Sequence, residues 1–394
     1  MKALNFDALS PYKTDPILGL AERVKLDSRS DVLDCSIGLL VSSAQDSGKK
    51  VWIPNVVKKF FDVSVLDAYE PIAGNKDFLE STQKFLGLTA NLVFQTLGSS
   101  QACRLSFEVL KTLGVTEVIT TVPTWPNHIQ MMKQLDLSVI QVNHTTLSGE
   151  LDFDAIFRAI QQRASNEYVA VLIHGSCHNP TGVDFSKAQL TEALKQSSVI
   201  PVIDFSYHGF GDENLEASVL EIFNQTPLGF LCYSFSKTAG LYNQRLGCLF
   251  VKCPDEKADL FKGQITKLIR THNSTPCGTG ARVMAGILKS KDSLVEWRKE
   301  VEQTKEHLSS LRHSLASELP QEISNLVSKQ KGLFAFIPRT FLKDSPFEVQ
   351  ERLIQNDALY SVALEEGLRL NIAGLQSENS ALRAGRILRG YLLI

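Results

Sequence analysis

Two apolar rhythms alternate along much of the chain. Short unbroken runs at Val118–Val122, Tyr168–Ile173, Val199–Ile203, Leu228–Cys232 and Leu246–Val251 have the length of strands buried on both faces, as in a parallel sheet. Between them lie amphipathic stretches. One is Cys103–Leu113. Another is capped by Leu151-Asp152-Phe153-Asp154 and runs to about Arg163. Strand–turn units alternating with helical runs across residues 90–250 predict a mainly parallel α/β sheet. The flanks read differently. Pro16–Leu26 predicts a helix, Val32–Ile37 a short strand, and Asp255–Arg270 a helical stretch. Leu294–Leu319 predicts one long amphipathic helix bridging two domains, with Val295, Val301, Leu308, Leu311 and Leu315 on its apolar face. Gly332–Ile337 and Tyr360–Leu364 read as strands, with a helix near Phe347–Gln355 between them. Leu368–Gly374 alternates as a strand, and Ala381–Leu393 reads as a last helix.

Length adds one inference. At 394 residues the chain exceeds the size at which a single core usually stops growing, so two domains are expected. A hydrophobic content of 43%, a charged content of 21% and a formal net charge of -2 suit a globular enzyme and argue against a general nucleic-acid or membrane-surface role. No apolar run approaches the length of a membrane span. The seven cysteines are odd in number, scattered and without a CxxC pair. They suggest free thiols in a reducing compartment, so a cytoplasmic location is expected. Met1–Asp15 shows no apolar core flanked by basic residues, so no secretory signal is expected.

The chemistry concentrates at turns that follow predicted strands. Lys237 lies just past Leu228–Cys232 on a Ser- and Gly-rich turn. Burial there disfavours its charged form and makes the amine a nucleophile; the alternative is an ordinary exposed turn lysine. Ser234, Ser236 and Arg245 around it can hold a phosphate. Gly98-Ser99-Ser100 opens a predicted helix, where free N–H groups and the dipole favour an anion, or where the serines simply cap. A lysine amine beside a phosphate site is what a pyridoxal-phosphate Schiff base needs. Asp204 ends a buried strand, at the ligand crevice of an open α/β sheet or as a helix cap. Trp125, on the Pro-flanked segment Pro123–Pro126, can stack on a flat ring or sit in the core. His174, Cys177 and His178 match none of the usual zinc spacings, so no metal is expected.

The run Ser234-x-Ser236-Lys237-x-x-Gly240-Leu241-Tyr242-x-x-Arg245-x-Gly247 resembles the lysine motif of class I aminotransferases, in the aspartate/aromatic amino acid branch. The likeness extends in order from Asp15–Leu20 to Arg369–Gly374. It implies the pyridoxal-phosphate-dependent transferase fold of the aspartate aminotransferase type (fold type I). Residues 48–299 would form a large cofactor domain, and residues 1–47 with 300–394 a smaller α/β domain. It also implies a homodimer with shared sites. Lys237 would carry pyridoxal 5'-phosphate, and Asp204 would face the ring nitrogen with His128 behind it. Trp125 would stack on the ring, while Asn179 and Tyr207 would bond its phenolic oxygen. Ser99, Ser100, Ser234, Ser236 and Arg245 would hold the phosphate, joined by Tyr69 from the neighbouring subunit. Arg369 would bind the substrate α-carboxylate, and Arg270 of the other subunit a distal carboxylate. Gly38 would border the substrate mouth, where Trp125 and Asn179 also reach. The reaction implied is transfer of the α-amino group of aspartate, and of aromatic amino acids, to 2-oxoglutarate. Alternatives are an enzyme mainly for aromatic amino acids, or a decarboxylase or β-lyase of the same fold. Two departures from the family pattern stand out: Gln101 where glycine is usual, and Ser274-Thr275-Pro276-Cys277 where Ser-Asn-Pro-Pro is usual.

Overall fold

A computed structural model describes residues 16–41, 51–61, 69–164, 168–196 and 198–393. The expected boundary at 47/48 lies outside the described residues, as does Asp15 at the start of the resemblance.

Among the described residues the strands are β1 (Leu33–Asp34), β2 (Leu92–Thr96), β3 (Glu117–Val122), β4 (Ser138–Asn143), β5 (Val169–His174), β6 (Val199–Phe205), β7 (Gly229–Ser234), β8 (Gly247–Lys252), β9 (Phe334–Pro338), β10 (Leu359–Tyr360), β11 (Val362–Leu364) and β12 (Gly367–Asn371). A seven-stranded sheet runs in the order β2-β8-β7-β6-β5-β3-β4. It is parallel except for β8, which lies antiparallel to both β2 and β7. The unbroken apolar runs explain its burial. Leu172, Val202, Phe230 and Leu249 enter one core cluster, while their neighbours Ile173, Ile203, Leu231 and Phe250 enter another. Successive side chains point to opposite faces, so continuous hydrophobicity means both faces are covered. The second cluster continues into a smaller sheet, β11-β12-β9, through Phe334, Leu368 and Leu370.

Register collects the chemistry at one end of the large sheet. His174 pairs with Asp204, Asp204 with Cys232, Ser234 with Gly247, and Gly247 with Thr96. Because β8 runs backwards, its first residue meets the last residues of its neighbours.

Several expected elements differ. Tyr360–Leu364 breaks at Ser361: β10 pairs in parallel with β1, whereas β11 pairs with β12. Leu368–Gly374 is strand only to Asn371. The Asn371 side chain then accepts the N–H of Ala373, and Ile372–Leu375 forms a 3-10 turn. The long helix spans Lys291–Ser317, with Ser290 as its cap. Trp297, Val301, Leu308, Leu311 and Leu315 are buried along it, but Val295 is exposed, because at the helical period it falls on the face opposite Trp297 and Val301. The last helix, Glu378–Arg389, starts early because Ser377 caps it through the N–H of Ser380. The edge strand β4 lacked a readable pattern, since most of its residues are only half-covered or exposed.

Candidate active site

At the carboxyl ends of β5, β6 and β7 lies one pocket. Its walls are Ser99, Ser100, Trp125, His174, Asn179, Asp204, Ser206, Tyr207, Ser234, Ser236, Lys237 and Arg245. Most of the residues singled out from the sequence therefore meet in one place.

Lys237 follows β7 on a turn. Its Nζ sits 4.7 Å from the centre of the Tyr242 ring and 6.0 Å from that of Tyr207. Desolvation, and next the Arg245 cation, lower its pKa to about 8 against the pull of Asp204. A near-neutral pKa gives the amine a sizeable unprotonated fraction, as a nucleophile or proton carrier requires.

Asp204 is buried. One carboxylate oxygen lies 3.0 Å from His128 Nε2. The other accepts the N–H of Ser206 at 3.1 Å and the Ser206 hydroxyl. Burial raises its pKa, but His128, His174 and Ser206 outweigh that and hold it below the ordinary carboxylate value. The helix Pro126–Gln134 begins directly after Trp125, so one short segment delivers both the indole and His128. The two rings meet edge to face at 5.1 Å.

A set of anion donors is built from three chain segments. The helix Ser99–Thr112 starts at Gly98, whose φ of 76° favours glycine and which has no side chain to cap the helix. A Cβ there would come within 2.7 Å of Arg245 Nη2. Ser234 donates its hydroxyl to Ser236 at 3.0 Å, and Arg245 Nη1 donates to Ser236 at 3.3 Å. The Ser99 hydroxyl lies 2.6 Å from that of Ser206, whose own proton goes to Asp204. Hydroxyls, a guanidinium and a helix start thus converge, the donor set an anionic oxygen group requires.

Asn179 Nδ2 donates to the Tyr207 hydroxyl at 3.3 Å, and Asn179 Oδ1 accepts from Arg369 Nη1 at 3.2 Å. Burial pushes the Tyr207 phenol well above its usual range, so it stays a neutral donor. Arg369 is 3% exposed. Its Nη2 donates to the Ser36 carbonyl at 2.6 Å, and its guanidinium lies 4.5 Å over the Phe334 ring. Leu368 and Leu370 point into the core, while Arg369 and Asn371 face the segment 36–39; Asn371 Nδ2 donates to the carbonyls of Ile37 and Leu39. The alternation is chemical, yet both faces are covered. Gly38 serves packing here: a Cβ would strike the Phe334 ring at 2.8 Å.

Tyr69 and Arg270 do not line this pocket. Tyr69 is 91% exposed. Arg270 is exposed in the last turn of the helix Ala258–Asn273 and donates to Ser274 Oγ at 2.6 Å. His178 bonds Thr181 and Thr121 through its two ring nitrogens.

Sequence reasoning passed over Glu216. It sits between Leu215 and Val219 in the buried stripe of the helix Glu213–Gln225, an acidic residue on an apolar face. Its Oε1 accepts from Ser176 Oγ at 2.8 Å and from the N–H groups of Gly209 and Gly211 at 3.0 Å each. It thereby ties the loop of Asn179 to the loop of Tyr207. Burial raises its pKa to about 7, opposed by those donors.

The geometry has known counterparts. The family model for "Aminotransferase class I and II" matches residues 37–387. The chain belongs to the class I and II aminotransferases. It is 30% identical over 396 residues to the tyrosine aminotransferase of Rhizobium meliloti (strain 1021), covering 97% of this chain and 99% of that relative. It is also 30% identical to the aspartate aminotransferase of Escherichia coli (strain K12), covering 95% of this chain and 97% of that one. An aromatic amino acid aminotransferase of Psychrobacter sp. B6, cocrystallised with aspartic acid, superimposes with a TM-score of 0.84 at 26% identity, over 98% of this aminotransferase and all of its counterpart (100%). The fold is also that of an aromatic-amino-acid aminotransferase from Burkholderia pseudomallei covalently bound to pyridoxal phosphate, with a TM-score of 0.85 at 24% identity, over 98% and 99% of the two chains.

Proposed function

We propose that this aminotransferase moves the α-amino group of aspartate, and of aromatic amino acids, to 2-oxoglutarate, with pyridoxal phosphate held on Lys237. The observation that carries the reading is one pocket that holds a lysine of lowered pKa, a buried carboxylate kept ionised by His128, and a separate cradle for a phosphate. That set fits the cofactor group by group. Lys237 offers the amine, Asp204 the partner for a ring N–H, and Trp125 the flat face. Ser99, Ser100, Ser234, Ser236 and Arg245 offer the phosphate donors. When bound, pyridoxal phosphate supplies an aldehyde carbon for the amine and a ring that takes up the electrons left at the substrate Cα.

The chain's own groups do the rest. The Asp204 carboxylate keeps a proton on the group it faces, and His128 keeps Asp204 ionised. Tyr207 and Asn179 present hydrogen-bond donors to the oxygen beside the reacting carbon. Arg369 grips the α-carboxylate with two parallel bonds and so fixes which face of Cα meets Lys237. Lys237 Nζ would take the Cα proton and hand it to the aldehyde carbon that the cofactor supplies.

The two-domain division at 48–299, a homodimer whose Tyr69 and Arg270 serve the partner's site, and a cytoplasmic location are part of the same reading. The free state of all seven cysteines supports a reducing compartment, and no helix among the described residues is long and apolar enough to cross a membrane. A second reading has aromatic amino acids as the main donors, in line with the equal 30% identity to a tyrosine and to an aspartate aminotransferase. A panel of aspartate, glutamate, tyrosine, phenylalanine and a neutral aliphatic amino acid with 2-oxoglutarate tests both. Transfer from aspartate at rates matching or exceeding tyrosine supports the first reading. Transfer from aromatic donors alone supports the second, and release of CO2 or ammonia without transfer rejects both.

A further inference from the structure

The helix at the phosphate cradle starts without a side-chain cap, since Gly98 has none to give. Its third residue, Gln101, reaches back instead, and Oε1 accepts the N–H of Leu97 at 2.8 Å. The bond is like the N3 half of a capping box but falls one residue earlier, on the N–H that precedes the cap Gly98. The carbonyl of the same Leu97 accepts Arg245 Nη2 at 3.1 Å. Gln101 Nε2 points the other way and donates to Asn273 Oδ1 at 2.7 Å. Asn273 ends the helix that carries Arg270. Its Nδ2 donates to the Thr275 carbonyl at 3.2 Å, and the Thr275 N–H returns to the Asn273 carbonyl at 2.8 Å. Between them Ser274 has a φ of 67° and accepts from Arg270 Nη1 at 2.6 Å. An unbroken series of hydrogen bonds therefore joins Arg245 to the turn beneath Arg270, and Gln101 is its middle member.

We propose that Gln101 is a positioning residue that sets the phosphate turn and the Arg270 segment together, and thereby couples cofactor-phosphate affinity to preference for dicarboxylic substrates. The substrate half rests on the reading of function given above; the cofactor half rests only on the turn. Chemistry supports the choice of residue. One end must accept and the other donate, so only an uncharged amide serves, and asparagine is a methylene short of glutamine. Nor is the link incidental to packing. The two helices already share one core cluster through Leu105, Val109, Ile265 and Ile269, and Glu108, two turns further along the first helix, lies 3.1 Å from His272 of the second, so Gln101 is not needed merely to dock one on the other. The two departures from the family pattern, at 101 and after Arg270, are thus joined through Asn273, which bonds both Gln101 and Thr275.

The test uses the whole protein, Q101M (of similar length, without the amide), N273A and their combination. Cofactor-free protein is titrated with pyridoxal 5'-phosphate and with pyridoxal, which lacks the phosphate, and the ratio of affinities is read from absorbance. We expect Q101M to lower that ratio about tenfold and N273A to change it less than about twofold, the first loss being that of one well-placed hydrogen bond. In steady-state kinetics both single variants should lower kcat/KM for aspartate relative to phenylalanine by about fivefold, and the double variant no further than either. Equal losses of pyridoxal and pyridoxal phosphate affinity, or no change in either, overturn the cofactor half. Additive effects of the two variants on the substrate ratio overturn the coupling. If wild-type protein transfers no amino group, the functional reading fails, while the affinity ratio still decides the role of Gln101 at the turn. If Q101M does not fold, Q101N, too short to span both partners, carries the same comparison.

Discussion

Two arginines, Arg369 and Arg270, share an expected chemistry and nothing of their surroundings. Arg369 sits on the middle strand of the small sheet, 3% exposed, bonded to Asn179 and Ser36 and laid over Phe334. Arg270 stands exposed at a helix end and bonds Ser274. A guanidinium fixed before the ligand arrives has already lost its rotamer freedom during folding. Its carboxylate therefore gains a preorganised partner. A solvated arginine must be ordered at the moment of binding, which weakens it but leaves it adjustable. Fixed recognition suits the α-carboxylate, which every amino acid has. Adjustable recognition suits a side-chain carboxylate, which only some have.

The largest effect expected is at Arg369. Arg369→Ala should lower kcat/KM about a thousandfold for aspartate and phenylalanine alike, the scale of removing one member of a buried, hydrogen-bonded charge pair (~4 kcal/mol). Arg369→Lys should recover part of this but lose the paired geometry. Steady-state kinetics with both donors checks it, and a loss confined to aspartate would break the contrast between the arginines. Next comes Arg270→Asp. It should cost aspartate about a hundredfold and phenylalanine less than about threefold, since only the acidic side chain meets the reversed charge. Equal losses for both donors would show that Arg270 does not discriminate.

The contrast itself was only partly readable from the chain. Lys237 and Asp204 were legible because unbroken apolar runs mark buried strands, and catalytic groups gather at strand ends in open α/β sheets. The burial of Arg369 was not. Its alternating strand reads as one covered face and one exposed, and the cover comes from Ser36, 333 positions away in sequence. Gln101 likewise reads as an ordinary helix residue until Asn273, 172 positions on, is placed beside it. Glu216 left a faint trace, an acid in an apolar stripe, but its donors lie in two loops. Periodicity reports which face is buried, not which distant segment buries it.

A smaller effect ties the arginines to the lysine. The Arg369 cation is among the groups that lower the pKa of Lys237, whereas Arg270 is not. The neutral amine is the form that captures an aldehyde, so the rate at which cofactor-free protein takes up pyridoxal phosphate should rise as pH passes through about 8. Between pH 7 and 9 the gain should be about tenfold, the change in neutral fraction across that midpoint. Removing the Arg369 charge makes the protonated amine less costly, so Arg369→Ala should move the midpoint upward, and Arg270→Ala should leave it in place. Stopped-flow absorbance across pH reads both. A midpoint that moves with Arg270, or stays fixed without Arg369, reverses the assignment of which arginine lies in the lysine's field.

The smallest effect concerns where each arginine acts. Arg369 contacts the pocket wall of its own chain through Asn179, whereas Arg270 and Tyr69 do not line that pocket. In a two-fold dimer, groups on the rim of one chain can complete the site of the other, because each contact is made twice by symmetry. This makes a countable claim. Lys237→Ala chains are unfolded, mixed with Arg270→Ala chains and refolded together. Every mixed dimer then has one site lacking both groups and one site with Lys237 from one chain and Arg270 from the other. Random pairing makes about half the dimers mixed, so about a quarter of wild-type aspartate sites should return. The corresponding mixture of Lys237→Ala with Arg369→Ala chains should return none, since each site draws both groups from a single chain. Mass spectrometry establishes that mixed dimers are present. If they are present and remain as inactive as their parents in the first mixture, either Arg270 serves its own chain or it is not a substrate residue. Recovery in the second mixture would place Arg369 across the interface instead.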